Sequence, residues 1–156
     1  MGVIEARLGV LVLELPAPLA APSGVRLPFE RVRFHGGLAY VSGHGPFDGD
    51  PAARHRASRR RGLRRAGLRG RACDGPVDSR LAQQELNDLD RVAGWIKALG
   101  FVKCAEGFNV TPAAINGFSD LILTLWGDAG RHARSAIGAG ELPFGMPVEV
   151  EAAALA

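Results

Sequence analysis

Nine arginines and no acidic residue fall within Arg54–Arg71, and no other stretch restricts what this chain can build so strongly. The segment follows neither a 2-residue nor a 3.6-residue period, so it offers no apolar face to a core. Like charges at this density repel, which favours a solvated segment over a packed one. The rest of the chain holds 10 basic and 16 acidic residues, a net −6, so the overall charge of +3 describes neither part. A nucleic-acid binder typically spreads basic charge over its fold. An acidic domain with one basic block argues against that class.

Outside this block, the 156 residues suit a single domain over 1–156, and 47% hydrophobic content is enough for one core. No apolar run reaches the roughly 18 residues that span a bilayer. Met1–Glu14 carries Glu5, Arg7 and Glu14, unlike a cleavable leader, so a cytoplasmic protein without membrane attachment is expected. Cys73 and Cys104 read as free thiols. His35, His44, His55 and His132 lack metal-ligand spacing, so neither a metal nor a cofactor is expected.

The elements follow from local pattern. Ile4–Leu15 reads as a short helix or strand, and Leu19–Pro28 as a connection. Gly36-Gly37 marks a turn before a strand at Leu38–Ser42, and Gly43–Asp50 a loop. Leu81–Leu86 can be helical, with Asp78 or Ser79 as cap; the apolar run Val92–Val102 fits helix or strand equally. Thr111–Trp126 is the clearest helix. Thr111 can cap it, Pro112 suits its first turn, and Gly127 its end. Ile115, Phe118, Ile122, Leu125 and Trp126 fall on one face. Ser135–Ala139 and Val148–Leu155 read as strands.

Chemistry concentrates in the last of these segments. The Arg134 guanidinium offers a planar fork of donors that can hold a carboxylate by two bonds. Glu149 and Glu151, two apart, share one strand face, while Val148 and Val150 share the other. A carboxylate near a cationic site can act on water as a general base. The same residues would also suit a surface salt bridge between strands. Ser42-Gly43-His44 places a hydroxyl near an imidazole, but reads as a strand end.

His132-Ala-Arg-Ser-Ala-Ile-Gly138, Leu142-Pro-Phe-Gly145 and Val148-Glu-Val-Glu151 resemble the C-terminal signature of the RidA/YjgF family of reactive-intermediate deaminases. Leu38–Pro46 is similar to the family strand that ends in Ser-Gly-Gln-x-Pro. Asn87–Val92, Gly100–Val102 and Ile115–Leu121 resemble its longer branch, called endoribonuclease L-PSP or chorismate-mutase-like. The resemblance implies an α/β (α+β) chorismate-mutase-like fold: a mixed sheet with two helices on one face, assembled as a homotrimer with ligand clefts between subunits. It also implies that Val92–Val102 is a strand.

By the same resemblance, Arg134 holds the carboxylate of a 2-imino acid and Glu149 positions the attacking water. Phe29, Ser42, Asn116 and Ala136 are then substrate-binding positions. Two departures stand out: Phe29 occupies the place of a family tyrosine, and His44 that of a glutamine. Over about 50–80 the resemblance is lost, where the family has its first long helix. Bases encoding Gly67–Cys73 can, read one base later, encode Gly-Tyr-Ala-Ala-Ala-Arg-Ala, so a pair of compensating frameshifts explains the arginines; a basic arm for RNA is the rival explanation. The functions implied are hydrolytic imine deamination without cofactor, non-catalytic binding of a small carboxylate, or RNA binding or cleavage.

Overall fold

The computed structural model describes residues 2–11, 26, 28–45 and 89–156. They include five strands: β1 (Val32–His35), β2 (Leu38–His44), β3 (Gly94–Lys103), β4 (Ala133–Ala139) and β5 (Val148–Leu155). All join one mixed sheet in the order β1-β2-β5-β3-β4. β3 and β4 are parallel, and the other neighbours antiparallel. Among the described residues, two helices, α1 (Val3–Val10) and α2 (Thr111–Trp126), join this sheet in an α+β arrangement. The arginine-rich stretch, the helix implied over 50–80, the helical reading of Leu81–Leu86 and most of the Leu19–Pro28 connection lie outside the described residues.

α2 forms where its periodicity puts it. Ile115, Ile122 and Leu125 have no exposed surface, Phe118 keeps 2% and Trp126 8%. The helix ends at Gly127, whose φ is 61°. Its start differs from the sequence reading. Val110 is the residue before the first turn, and no side chain caps it. The Thr111 hydroxyl instead donates to the Ala136 carbonyl, 3.1 Å away, tying α2 to β4. A tertiary acceptor has won over the local one. At the other end of the chain, α1 buries Ile4 and Leu8, and Asp90 caps it through the Val3 and Ile4 amides at 2.6 and 2.8 Å.

The ambiguous run becomes β3, flanked by β4 and β5. β1 went unanticipated. Its four residues are too few to show a period, and it gains its bonds from β2 across the Gly36-Gly37 turn, where both φ angles are positive.

Pairing register decides which face each residue serves. Ala98, Gly100 and Val102 of β3 lie on the helix side, since a Cβ on Gly100 would come within 2.5 Å of Ile115 Cδ1. Their partners share that side: Ala152, Val150 and Val148 on β5, and Arg134, Ala136 and Gly138 on β4. The alternate residues face the other way, among them Leu99, Phe101, Ile137, Glu149 and Glu151. The described residues leave exposed hydrophobics on that open face: Tyr40, Ile137 and Leu155 keep 46, 48 and 46% of their surface.

Candidate functional site

Arg134 stands on β4, paired with Ala98, and reaches across to α2. One terminal nitrogen, Nη1, donates to Ser119 Oγ at 2.9 Å. The other, Nη2, donates to Asn116 Oδ1 at 2.9 Å and to the Pro112 carbonyl at 3.2 Å. Positions 112, 116 and 119 share one helix face by their spacing. All three acceptors are uncharged, and the ion pairs among the described residues join other groups. The guanidinium is therefore fixed in direction, with no countercharge among the described residues. A half-buried cation in that state favours an anionic ligand, and a carboxylate matches its fork.

Asn116 thus acts on Arg134, by accepting its hydrogen bond. Ala136 acts through its backbone, holding Thr111, while its methyl packs against the core.

Glu149 belongs to a second cluster. It pairs with Phe101 of β3 and lies partly buried on the open face. Burial pushes its carboxyl above the usual glutamate range, and the neighbouring Glu151 carboxylate adds to the rise. Both effects disfavour the anion, so the deprotonated form is a stronger base than a free glutamate.

The carboxylate lies directly over the Gly43 backbone: a Cβ there would sit 2.1 Å from Glu149 Oε1. A bulge makes this possible. Val41 pairs with Ala152 and His44 with Val150, so Ser42 and Gly43 together oppose the single residue Glu151. The Ser42 hydroxyl donates to the Glu30 carbonyl at 2.8 Å, and the Ser42 amide to the Arg31 carbonyl at 2.9 Å. These bonds dock the segment that carries Phe29, a residue 56% exposed. His44 Nδ1 bonds the Ser42 carbonyl, and burial lowers its pKa to about 4. Ser42 and His44 therefore form no nucleophile–base pair, in keeping with a strand end.

Within one chain, the two clusters do not meet. β3 stands between β4 and β5, so two strand spacings, roughly 10 Å, separate their strands, and Arg134 is level with Ala98 of β3 whereas Glu149 is level with Phe101, further along the sheet. Their side chains also leave opposite faces of the sheet. The strand register sets them apart within one chain. Ser119 and His132, absent from the sequence-based site, belong to it in space. Both fall within segments that carry the family likeness, but their link to Arg134 joins α2 to the start of β4 and so shows in no local pattern.

No protein-family model matches the chain. Protein TCP17 from Trypanosoma cruzi is 47% identical over 83 residues, which are 53% of this chain and 51% of that protein. The chain thus spans about half the length of that relative. Atu1372 from Agrobacterium tumefaciens, a crystallised protein of unknown function, is 30% identical, with 98% of this chain and 92% of that one covered at a TM-score of 0.74. An endoribonuclease candidate from Shewanella oneidensis has a TM-score of 0.80 at 24% identity, covering 98% and 99%. RidA from an Antarctic Psychrobacter has 0.50 at 15%, covering 90% and 93%. The last two likenesses concern the fold alone. The chain belongs to one family with Atu1372, and its fold is RidA-like.

Proposed function

We propose that this protein hydrolyses reactive 2-imino and enamine acids to 2-oxo acids and ammonia, in clefts between the subunits of a homotrimer. The observation that carries this reading is the Arg134 guanidinium, held by uncharged acceptors without a countercharge among the described residues. It orients the substrate carboxylate. Glu149 of an adjoining subunit deprotonates a water that attacks the imine carbon. The carbon–nitrogen double bond opens to a tetrahedral amino alcohol. The nitrogen then takes up protons and leaves as ammonia, and the hydroxyl becomes the carbonyl of the oxo acid. Opposite-face placement of the two residues supports a shared cleft, since a second copy is what could bring a Glu149 to an Arg134. The hydrophobic side chains exposed on the open face, Tyr40, Ile137 and Leu155, support assembly of copies.

The test is ammonia release from a 2-imino acid generated in place. Wild type should release it faster than buffer, and Arg134→Ala should not. Phe29 favours a second reading, a binder of small carboxylates without catalysis, because its ring lacks a hydroxyl for a polar contact. Under the deaminase reading Phe29→Tyr raises activity. Inactive wild type and Phe29→Tyr proteins that still bind a 2-oxo acid would establish the binder. The RNA reading rests on Arg54–Arg71 and on the name of the Shewanella neighbour. Retention on RNA at physiological salt would favour it.

A further inference from the structure

Two side chains that the proposed chemistry does not use lie behind Arg134. His132 Nδ1 is 2.7 Å from the Gly130 carbonyl. A carbonyl oxygen can only accept, so Nδ1 carries the proton. In the neutral ring Nε2 is then an acceptor, and it lies 3.1 Å from Ser119 Oγ. The Ser119 hydroxyl donates its one hydrogen there. Its oxygen is left as an acceptor, directed at Arg134 Nη1 at 2.9 Å.

With the imidazole neutral, every bond in this chain has one direction. Arg134 donates to Ser119, Ser119 to His132, and His132 to the backbone of Gly130. The imidazole is itself held edge-on against the buried Phe118 ring, with centroids 5.7 Å apart at 71°. The relay is thus anchored at its far end by a backbone carbonyl and an aromatic core residue.

We propose that Ser119 and His132 are positioning residues for anion recognition, a polarised relay that aims the Arg134 fork at a substrate carboxylate. This rests on the function proposed above. Without the relay, the Ser119 hydroxyl is free to rotate and point its hydrogen at Arg134, and the guanidinium loses its second anchor. Asn116 and Pro112 then hold only the Nη2 side. A fork pinned at one nitrogen can swivel, and a bidentate partner is sensitive to swivel.

The first measurement needs no ligand. Long-range nitrogen–proton NMR on the folded protein at neutral pH should show His132 as the Nδ1–H tautomer. An Nε2–H ring reverses the relay and overturns the proposal. The second is calorimetric binding of 2-oxobutanoate, with its carboxamide as an uncharged control. Ser119→Ala and His132→Phe should each weaken 2-oxobutanoate binding about tenfold. Neither should alter carboxamide binding. His132→Gln, which retains an acceptor for Ser119, should restore most of the affinity. Adding Ser119→Ala to Arg134→Ala should cost nothing more, because the relay acts only through the guanidinium. Equal losses for acid and amide would mean a structural role and overturn the proposal. If Arg134→Ala weakens binding while Ser119→Ala and His132→Phe do not, the relay alone falls. If Arg134→Ala leaves binding intact, the proposed function falls with it.

Discussion

Glu149 gains its basicity from where it sits. Burial and the Glu151 charge both hold its proton more tightly than in water, so its anionic form is populated only at higher pH. If it is the base, activity should fall as pH drops through that raised value, with the limb above the ordinary glutamate range. Glu151→Gln removes the like charge, so the limb should move to lower pH; an unmoved limb in the pH–rate profile would remove Glu149 from the chemistry. Gly43 supplies a sharper residue-scale test. The nearest atoms a Cβ there meets all belong to the flexible Glu149 side chain, so Gly43→Ala should fold normally and push the carboxylate aside. Turnover should then drop at least about a hundredfold, as for loss of a general base. Near-normal kcat in a folded Gly43→Ala protein would show that the carboxylate position is immaterial.

At the scale of elements, the β3–α2 contact carries the site, because α2 supplies the acceptors of Arg134. Gly100 lets Ile115 approach the sheet, and an added methyl would meet both its Cδ1 and its Cγ1, at 2.5 and 2.7 Å. Ile115 is fully buried and cannot turn away. Gly100→Ala should therefore cost about 1–3 kcal/mol in denaturant unfolding, as overpacking does. It should also weaken carboxylate binding, since lifting α2 moves Asn116 and Ser119. At the end of β2, His44 is held neutral by burial, with a pKa of about 4 against 6.5 when unfolded. The unfolded chain binds the extra proton first, so this contribution is complete above pH 6.5 and is lost as pH falls toward 4. The shift corresponds to about 3 kcal/mol. Urea unfolding from pH 7 to pH 4 should show a shallower loss in His44→Gln than in wild type.

For the whole molecule, the decisive question is whether copies of the chain assemble. The open face presents Tyr40, Ile137 and Leu155, and a depression of about 360 Å³ lined by residues including Arg33, Tyr40, Lys97 and Glu151. Light scattering should give three times the 16.5 kDa chain mass. Ile137→Asp puts an unpaired charge on that face. It should yield smaller species that lack deaminase activity even though Arg134 and Glu149 are both present. An active monomer would exclude a site shared between subunits.

What the sequence alone determined was local. α2 was legible over its full length because its buried residues recur within the helix itself, and β5 because its valines and glutamates alternate. Glycines at 36, 37 and 127 marked turn and stop, since positive φ is a property of single residues. The tertiary structure decided what depends on pairing. Val92–Val102 became a strand through its neighbours on both sides, and Thr111 turned from a helix cap to the Ala136 carbonyl. The chemistry proposed for Arg134 and Glu149 comes from their types and the family likeness, neither of which reveals their placement. Strand register is fixed by bonds between distant segments, and one residue of shift exchanges the faces. A spacing of fifteen residues therefore does not reveal that the two point away from each other. Nor does it show that Ser119 and His132, 13 residues apart, converge behind the arginine.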